Sequence, residues 1–182
     1  MRMNVLAIAG SLRERSYNVM ALRAARKLAP AGMQITIADI RGVPLFDQDL
    51  RAGGDPAEVE RLREQVRGAD AVLIACPEYN ASVPGVLKNV IDWLSLPPNQ
   101  PFEGKPVAIL GASAGALGTS RAQPHLRQVL SFLNTVAVNK PEVFIGTAQN
   151  KFDADGELVD APTADFIGGL LLSLQALGAR LA

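Results

Sequence analysis

The sequence has 182 residues, within the usual domain size of about 100–200 residues, and 48% of them are hydrophobic. The 18 basic and 18 acidic residues give zero net charge, which argues against a nucleic-acid-binding protein, since such proteins typically carry a basic surface. One cysteine excludes an internal disulfide bond, and one cysteine with one histidine cannot form a usual zinc site.

The short apolar run near the N-terminus ends at Gly10, too early for a secretion signal. No apolar stretch reaches the roughly 20 residues that a membrane span needs. We therefore expect a cytoplasmic protein that does not insert into a membrane, with residues 1–182 forming one domain.

Apolar runs alternate with segments of helical period. Continuous apolar runs are typical of strands buried on both faces of a parallel sheet. They predict strands at Met3–Ala9, 33–38, 71–76 and 107–112, and a fifth at 142–145 or slightly earlier at 135–138. Helical periodicity predicts helices at 17–29, 56–67, 84–96, 124–133 and 164–181, with loops at 40–55 and 146–162. This alternation predicts a doubly wound α/β domain, in which ligands bind beyond the carboxyl ends of the strands.

The loop after the first strand has the composition of a phosphate site. Gly10 permits a tight turn, and short side chains that can donate hydrogen bonds follow at Ser11, Ser16 and Asn18. Arg13 adds a charged planar fork, and the start of the next helix adds free N–H groups. The alternative is a simple turn in which Ser16 caps the helix. We predict a phosphate site.

Two common nucleotide signatures are missing from this loop. No G-K-[ST] follows, and the dinucleotide fingerprint G-x-G-x-x-G is absent. Asp39 is the one candidate for an acidic residue that holds a ribose, but it lacks that fingerprint before it. The loop therefore favours a mononucleotide phosphate over a tightly held dinucleotide.

Longer motifs follow the third and fourth predicted strands. The segments are GSLRERSYN (10–18), PEYNASVPGVLKNVIDWLS (77–95), GKPVAILGASAGALGTSR (104–121), HLRQVLSFLN (125–134) and NKPEVFIG (139–146). In this order they resemble the NAD(P)H-dependent FMN reductase family, most closely its chromate- and quinone-reductase branch. The resemblance spans nearly the whole chain.

The resemblance implies a flavodoxin-like, five-stranded parallel sheet of order 2-1-3-4-5 that binds FMN. It implies NADPH or NADH as hydride donor, two-stage hydride transfer through FMN to quinones and similar acceptors, chromate among them, and a homodimer or homotetramer. It places one group of residues around the phosphate: Ser11, Arg13, Ser16, Tyr17 and Asn18. A second group would lie along the ring and the ribityl chain: Pro77, Glu78, Tyr79, Asn80, Ser113 and Gly115.

Several alternatives stay open. Glu78 is equally suited to capping a helix, and Arg121 to attracting the extra phosphate of NADPH, an anionic acceptor or another subunit. His125 is interpreted as structural, and Pro124 precedes it where relatives often have tyrosine. No side chain is predicted to act as an acid or base. A flavin reductase that releases reduced FMN is one alternative function. A flavodoxin-like electron carrier is another, although such carriers are commonly acidic.

Overall fold

The computed structural model describes residues 2–98 and 100–181, and a parallel sheet lies at its centre. Its strands are β1 (Met3–Ala9), β2 (Met33–Ile37), β3 (Ala71–Ala75), β4 (Pro106–Ala112), β5 (Val136–Ala137) and β6 (Val143–Ile145). The strand order is β2-β1-β3-β4-β5, and β6 also pairs with β4. The predicted order 2-1-3-4-5 is confirmed.

Both candidate segments for the fifth strand are strands. β5 pairs with the beginning of β4, where Val107 is opposite Ala137. β6 pairs with the end of β4, where Ala112 is opposite Ile145. The edge of the sheet beside β4 is therefore formed by two short strands, β5 and then β6, which pair with successive parts of β4.

Helices cover both faces of this sheet. They are α1 (Tyr17–Lys27), α2 (Gln48–Ala52), α3 (Ala57–Gly68), α4 (Gly85–Leu94), α5 (Ala122–Phe132) and α6 (Ala161–Leu181). The prediction of a loop over 40–55 was wrong for α2. This helix has five residues, none buried, so it leaves no apolar periodicity in the sequence. It is stabilised by Asp47, whose carboxylate accepts a hydrogen bond from the Asp49 N–H.

Alternation along β1 separates two apolar cores. Met3, Val5 and Ala7 pack with α1 and α6 on one face of the sheet. Leu6 and Ile8 pack with α3, α4 and α5 on the other face. Because the central strands β1, β3 and β4 are covered on both sides, their side chains are apolar in both directions except at Asn4, and the loops at the carboxyl edge carry the polar groups.

Helix α6 is the one helix of the described residues that is long and apolar enough, by length and composition, to cross a membrane. Its residues Ile167, Leu170, Leu171 and Leu174 are fully buried in the core beside α1. This stripe is the pattern of a helix that packs on a sheet. Asp160 accepts a hydrogen bond from the Thr163 N–H, so the helix begins three residues earlier than the predicted 164–181.

Candidate functional site

A cavity of about 190 Å³ lies at the carboxyl edge of the sheet, between the loops that follow β1, β3 and β4. Nine of the eleven predicted site residues line it, and Ala112 and Ala114 complete the wall. The nine are Ser11, Arg13, Ser16, Tyr17, Asn18, Pro77, Glu78, Tyr79 and Ser113. Asn80 and Gly115 do not line the cavity.

The β1–α1 loop presents hydroxyl groups and a guanidinium. Ser16 caps α1, since its Oγ accepts a hydrogen bond from the Asn18 N–H at 3.2 Å. The Ser11 Oγ accepts from the Arg13 N–H at 3.3 Å. Both hydroxyls keep their own proton for donation, and the first N–H groups of a helix have no carbonyl partner within it. The Arg13 guanidinium lies 5.4 Å from the ring centre of Tyr17. The loop therefore collects donors suited to a phosphate.

The side chain of Asn18 joins this loop to the end of β4. Its Nδ2 donates to the Ala112 carbonyl at 2.9 Å, and its Oδ1 accepts from the Ala112 N–H at 2.9 Å. Asn18 is only 3% exposed. One N–H and the oxygen of the amide hold two walls of the cavity together, and the second N–H remains for a ligand.

Glu78 caps a helix, as the alternative interpretation of the sequence has it. Its Oε2 accepts from the Arg121 N–H at 2.9 Å and from the Ala122 N–H at 3.1 Å. Helix α5 has no side-chain cap of its own, so this carboxylate satisfies its first donors. The Arg121 guanidinium lies 4.0 Å from the Glu78 Oε1. The carboxylate of Glu78 is thus committed to α5, and the residue borders the cavity from that position.

A tight hairpin follows at Tyr79–Ser82. The backbones of these two residues exchange two hydrogen bonds of 3.1 Å, and the two residues at the tip have positive φ angles, 51° at Asn80 and 60° at Ala81. The Ser82 Oγ lies 3.0 Å from the His125 Nδ1, which ties the hairpin to α5. The Tyr79 ring is half exposed beside the cavity, and Asn80 lies at the hairpin tip.

Two glycines allow the loops to approach closely. A Cβ on Gly10 would lie 2.9 Å from the Pro77 Cδ, so the loop after β1 packs directly on the loop after β3. A Cβ on Gly111 would lie 2.3 Å from the Cys76 carbonyl oxygen and 2.1 Å from the Thr119 Oγ1. These contacts bring the walls of the cavity together and leave no room for larger side chains.

Burial keeps the Cys76 thiol protonated. Loss of hydration in the core, with a smaller contribution from the Glu78 carboxylate, raises the pKa of the thiol from 9.0 to about 12. A thiol of such high pKa is a weak nucleophile at neutral pH. Its Sγ donates a hydrogen bond to the Pro77 carbonyl at 3.3 Å, so the buried Cys76 side chain supports the loop after β3 from the core side.

The fold and these motifs match known proteins. A model of the NADPH-dependent FMN reductase family matches residues 3–150. The chain belongs to this family.

Individual members of this family match nearly the whole chain. The chain is 59% identical to an NAD(P)H-dependent FMN reductase of Pseudomonas aeruginosa, over 94% of this chain and 92% of the relative. It is 49% identical to a quinone reductase of Escherichia coli K12, over 93% and 92%. The solved structure of FerB, a flavoenzyme NAD(P)H:(acceptor) oxidoreductase of Paracoccus denitrificans, superposes with a TM-score of 0.88 at 35% identity and covers 98% of both chains.

Two links in this family member's site were not predicted from its sequence. The Asn18–Ala112 clamp joins residues 94 positions apart, and the Ser82–His125 contact joins residues 43 positions apart. Residue type alone gives no signal for either link, because an asparagine or a serine in such a loop suits a ligand equally well. The N-terminal position of His125 on a helix was the one available indication that it is structural.

Proposed function

We propose that this chain is an FMN-dependent NAD(P)H oxidoreductase that reduces quinones and similar oxidised acceptors. The observation that carries the proposal is the cavity at the carboxyl edge of the sheet, where a donor-rich loop after β1 meets the loops after β3 and β4 in a member of an FMN reductase family. The quinone reductase at 49% identity supports the class of acceptor.

The residues on the cavity wall suit FMN in two parts. Ser11, Ser16 and Arg13, with the N-terminus of α1, would bind the phosphate dianion through charge-assisted hydrogen bonds. Pro77 and Tyr79 would border the flat face of the ring, and Ser113 its polar edge. Tyr17 stacks against Phe152 at 6.0 Å between ring centres, which holds it beside the phosphate loop.

FMN, when bound, supplies the ring that accepts and passes on a hydride. The chain's own residues bind and orient. Asn18 and Glu78 hold the three loops at fixed separation, and the buried Cys76 thiol stays protonated and uncharged beneath the loop after β3. No side chain is assigned as an acid or base in this proposal.

The finer assignments rest on the same family membership. We propose that residues 1–182 form one FMN-binding domain that works in the cytoplasm as a homodimer or homotetramer. Asn80 and Gly115 do not line the cavity, but both are exposed at its margin, where they would contact the part of FMN that extends beyond the cavity. Chromate would be a secondary acceptor that takes electrons at the site used by quinones.

The test is the absorbance of the FMN-loaded protein under anaerobic conditions. We expect NADPH or NADH to bleach the oxidised flavin band and benzoquinone to restore it, with one nucleotide oxidised per quinone reduced. A flavin band that neither nucleotide bleaches would refute the proposal and favour an electron carrier. FMN lost on gel filtration after reduction would favour a flavin reductase that releases its product.

The phosphate site has its own test in Arg13→Gln. Loss of one charge-assisted contact should weaken FMN binding roughly tenfold, measured by quenching of flavin fluorescence on titration. Arg15→Gln is the matched control, because Arg15 is exposed in the same loop and donates to the Ala154 carbonyl at 2.9 Å instead. Equal FMN affinity in the two variants would contradict the assignment of Arg13.

A further inference from the structure

The guanidinium of Arg13, on the wall of the proposed FMN site, is held by an aromatic ring. Arg13 is exposed, and its side chain forms no hydrogen bond or ion pair with residues 2–98 or 100–181. Its guanidinium carbon lies 5.4 Å from the ring centre of Tyr17, within the range of a cation–π interaction. A long exposed side chain has many rotamers open to it, so this ring is the contact that restricts where the charge lies.

The ring of Tyr17 is in turn held by Phe152. The two rings stack with their centres 6.0 Å apart and their planes at 25°. The Tyr17 hydroxyl forms no hydrogen bond within the part of the chain that the structure describes, so packing positions this ring. Phe152 is only 6% exposed and belongs to the apolar core beside α1 and α6. It is therefore a fixed support for a ring that borders the cavity.

Phe152 begins a hairpin, residues 152–158, whose two end residues pair through a β-bridge. The Asp153 N–H donates to the Glu157 carbonyl at 3.0 Å. The Asp153 Oδ1 accepts from the N–H groups of Asp155 and Glu157 at 3.0 and 2.8 Å. These bonds lie within the hairpin, so its shape and the position of Phe152 do not depend on a ligand.

Two further contacts join the hairpin to α1 and the loop before it. The Arg15 Nη2 donates to the Ala154 carbonyl at 2.9 Å, and Lys27 forms an ion pair with Glu157. Both contacts are exposed, and exposed ion pairs contribute little because water competes for them. The buried stack of Phe152 is therefore the contact by which the hairpin acts on the loop.

We propose that Phe152 is a positioning residue for the FMN phosphate, because it fixes the Tyr17 ring that holds the Arg13 guanidinium at the cavity wall. The proposal rests on the proposed function, which supplies FMN as the ligand. A guanidinium that is already placed loses less conformational freedom when the phosphate binds, so preorganisation adds affinity. Only a flavin that carries the phosphate gains from this, so Phe152 increases the preference of the site for FMN over riboflavin.

The test compares the affinities of the FMN-free wild-type protein and Phe152→Leu for FMN and for riboflavin, by quenching of flavin fluorescence on titration. The stack can change the affinity by no more than its own interaction energy, so FMN affinity should fall roughly three- to tenfold. Riboflavin affinity should change by less than about twofold, because riboflavin has no phosphate for Arg13 to bind. An equal fall for both flavins would show a merely structural role and overturn the inference.

Phe102→Leu is the matched control for lost packing. Phe102 is also buried, but it lies in the core on the other face of the sheet and does not line the cavity. Its substitution should leave the ratio of the two affinities unchanged. If Phe152→Leu does not fold, Phe152→Met takes its place, since methionine fills irregular apolar space without a ring, and the same fall in the ratio is expected.

A double-mutant cycle tests whether Phe152 acts through Arg13. In the Arg13→Gln protein the guanidinium is gone, so adding Phe152→Leu should change FMN affinity by less than about twofold. A further fall as large as that in the wild-type background would overturn the inference, because Phe152 would then act by another route.

The two proposals fail in different ways. A protein that oxidises NADPH or NADH with bound FMN, but whose affinity ratio is the same in Phe152→Leu, would keep its proposed function and lose only the role of Phe152. A protein that shows the expected change in the ratio, but oxidises neither nucleotide when loaded with FMN, would keep the role of Phe152 and lose the proposed function.

Discussion

Replacing Asn18 with alanine separates two roles that the same residue could have. If Asn18 served only to bind phosphate, the variant would lose affinity for FMN and the FMN-free protein would keep its stability. The structure instead has its amide exchanging two hydrogen bonds of 2.9 Å with the backbone of Ala112, in a position where Asn18 is 3% exposed. Asn18→Ala should therefore destabilise the protein even without FMN.

The expected loss follows from the two groups left behind. A buried N–H or C=O that loses its partner costs about 1–3 kcal/mol. Water from the adjoining cavity of about 190 Å³ can reach Ala112 in part, so we expect a total loss of about 2–4 kcal/mol in the free energy of unfolding.

Urea unfolding of the FMN-free protein, followed by circular dichroism, measures this loss. Asn150→Ala is the control, because Asn150 is exposed and its side chain forms no hydrogen bond within the described part of the chain, so its change should stay within about 0.5 kcal/mol. The reasoning fails if Asn18→Ala is as stable as the control in the FMN-free state and only its affinity for FMN falls.

Three further predictions concern the loops around the cavity. Between pH 8 and pH 10 the Cys76 thiol ionises in the unfolded chain but not in the folded protein, so the free energy of unfolding falls as the pH rises. In urea titrations at pH 8 and pH 10, this fall should be smaller in Cys76→Ala than in the wild type by about 1.4 kcal/mol. An equal fall in both proteins would contradict the raised pKa of the thiol. Gly111→Ala should reduce the free energy of unfolding by about 1–3 kcal/mol through its clash with the Cys76 carbonyl, whereas Gly85→Ala, in a helix with nothing within 4 Å, should not reduce it. Similar melting temperatures for both variants would refute the close packing at Gly111. Ala81→Gly should raise the free energy of unfolding by about 0.5–1 kcal/mol, because only the alanine is strained at a φ of 60°, and a loss of stability would contradict that backbone conformation.

The fold was predictable because its central strands, β1, β3 and β4, are buried on both faces. Continuous apolar runs such as Met3–Ala9 have no polar alternation, and that pattern belongs to parallel sheets covered by helices. Helix α2 was missed because nothing in it is buried, and the fifth strand stayed ambiguous because it is two strands. Short elements at an edge carry too few residues to establish a period.

The candidate site was predictable in its composition and less so in its connections. Ser11 and Arg13 were recognised from the kind of ligand their side chains suit, and both line the cavity. Whether Glu78 would contact a ligand or cap α5 depended on a helix that begins 44 residues further along the chain.

The division of the sheet edge into β5 and β6 has a consequence for how such enzymes diversify. The end of β6 and the segment after it hold the β4–α5 loop by main-chain hydrogen bonds: the Ser113 N–H donates to the Ile145 carbonyl, the Ala148 N–H to the Ser113 carbonyl and the Thr147 N–H to the Gly115 carbonyl. The exposed side chains of Ala114 and Leu117 take no part in these hydrogen bonds. Substitutions there can alter which acceptor enters while the scaffold keeps its shape, so this loop is the natural starting point for libraries that aim at new acceptors.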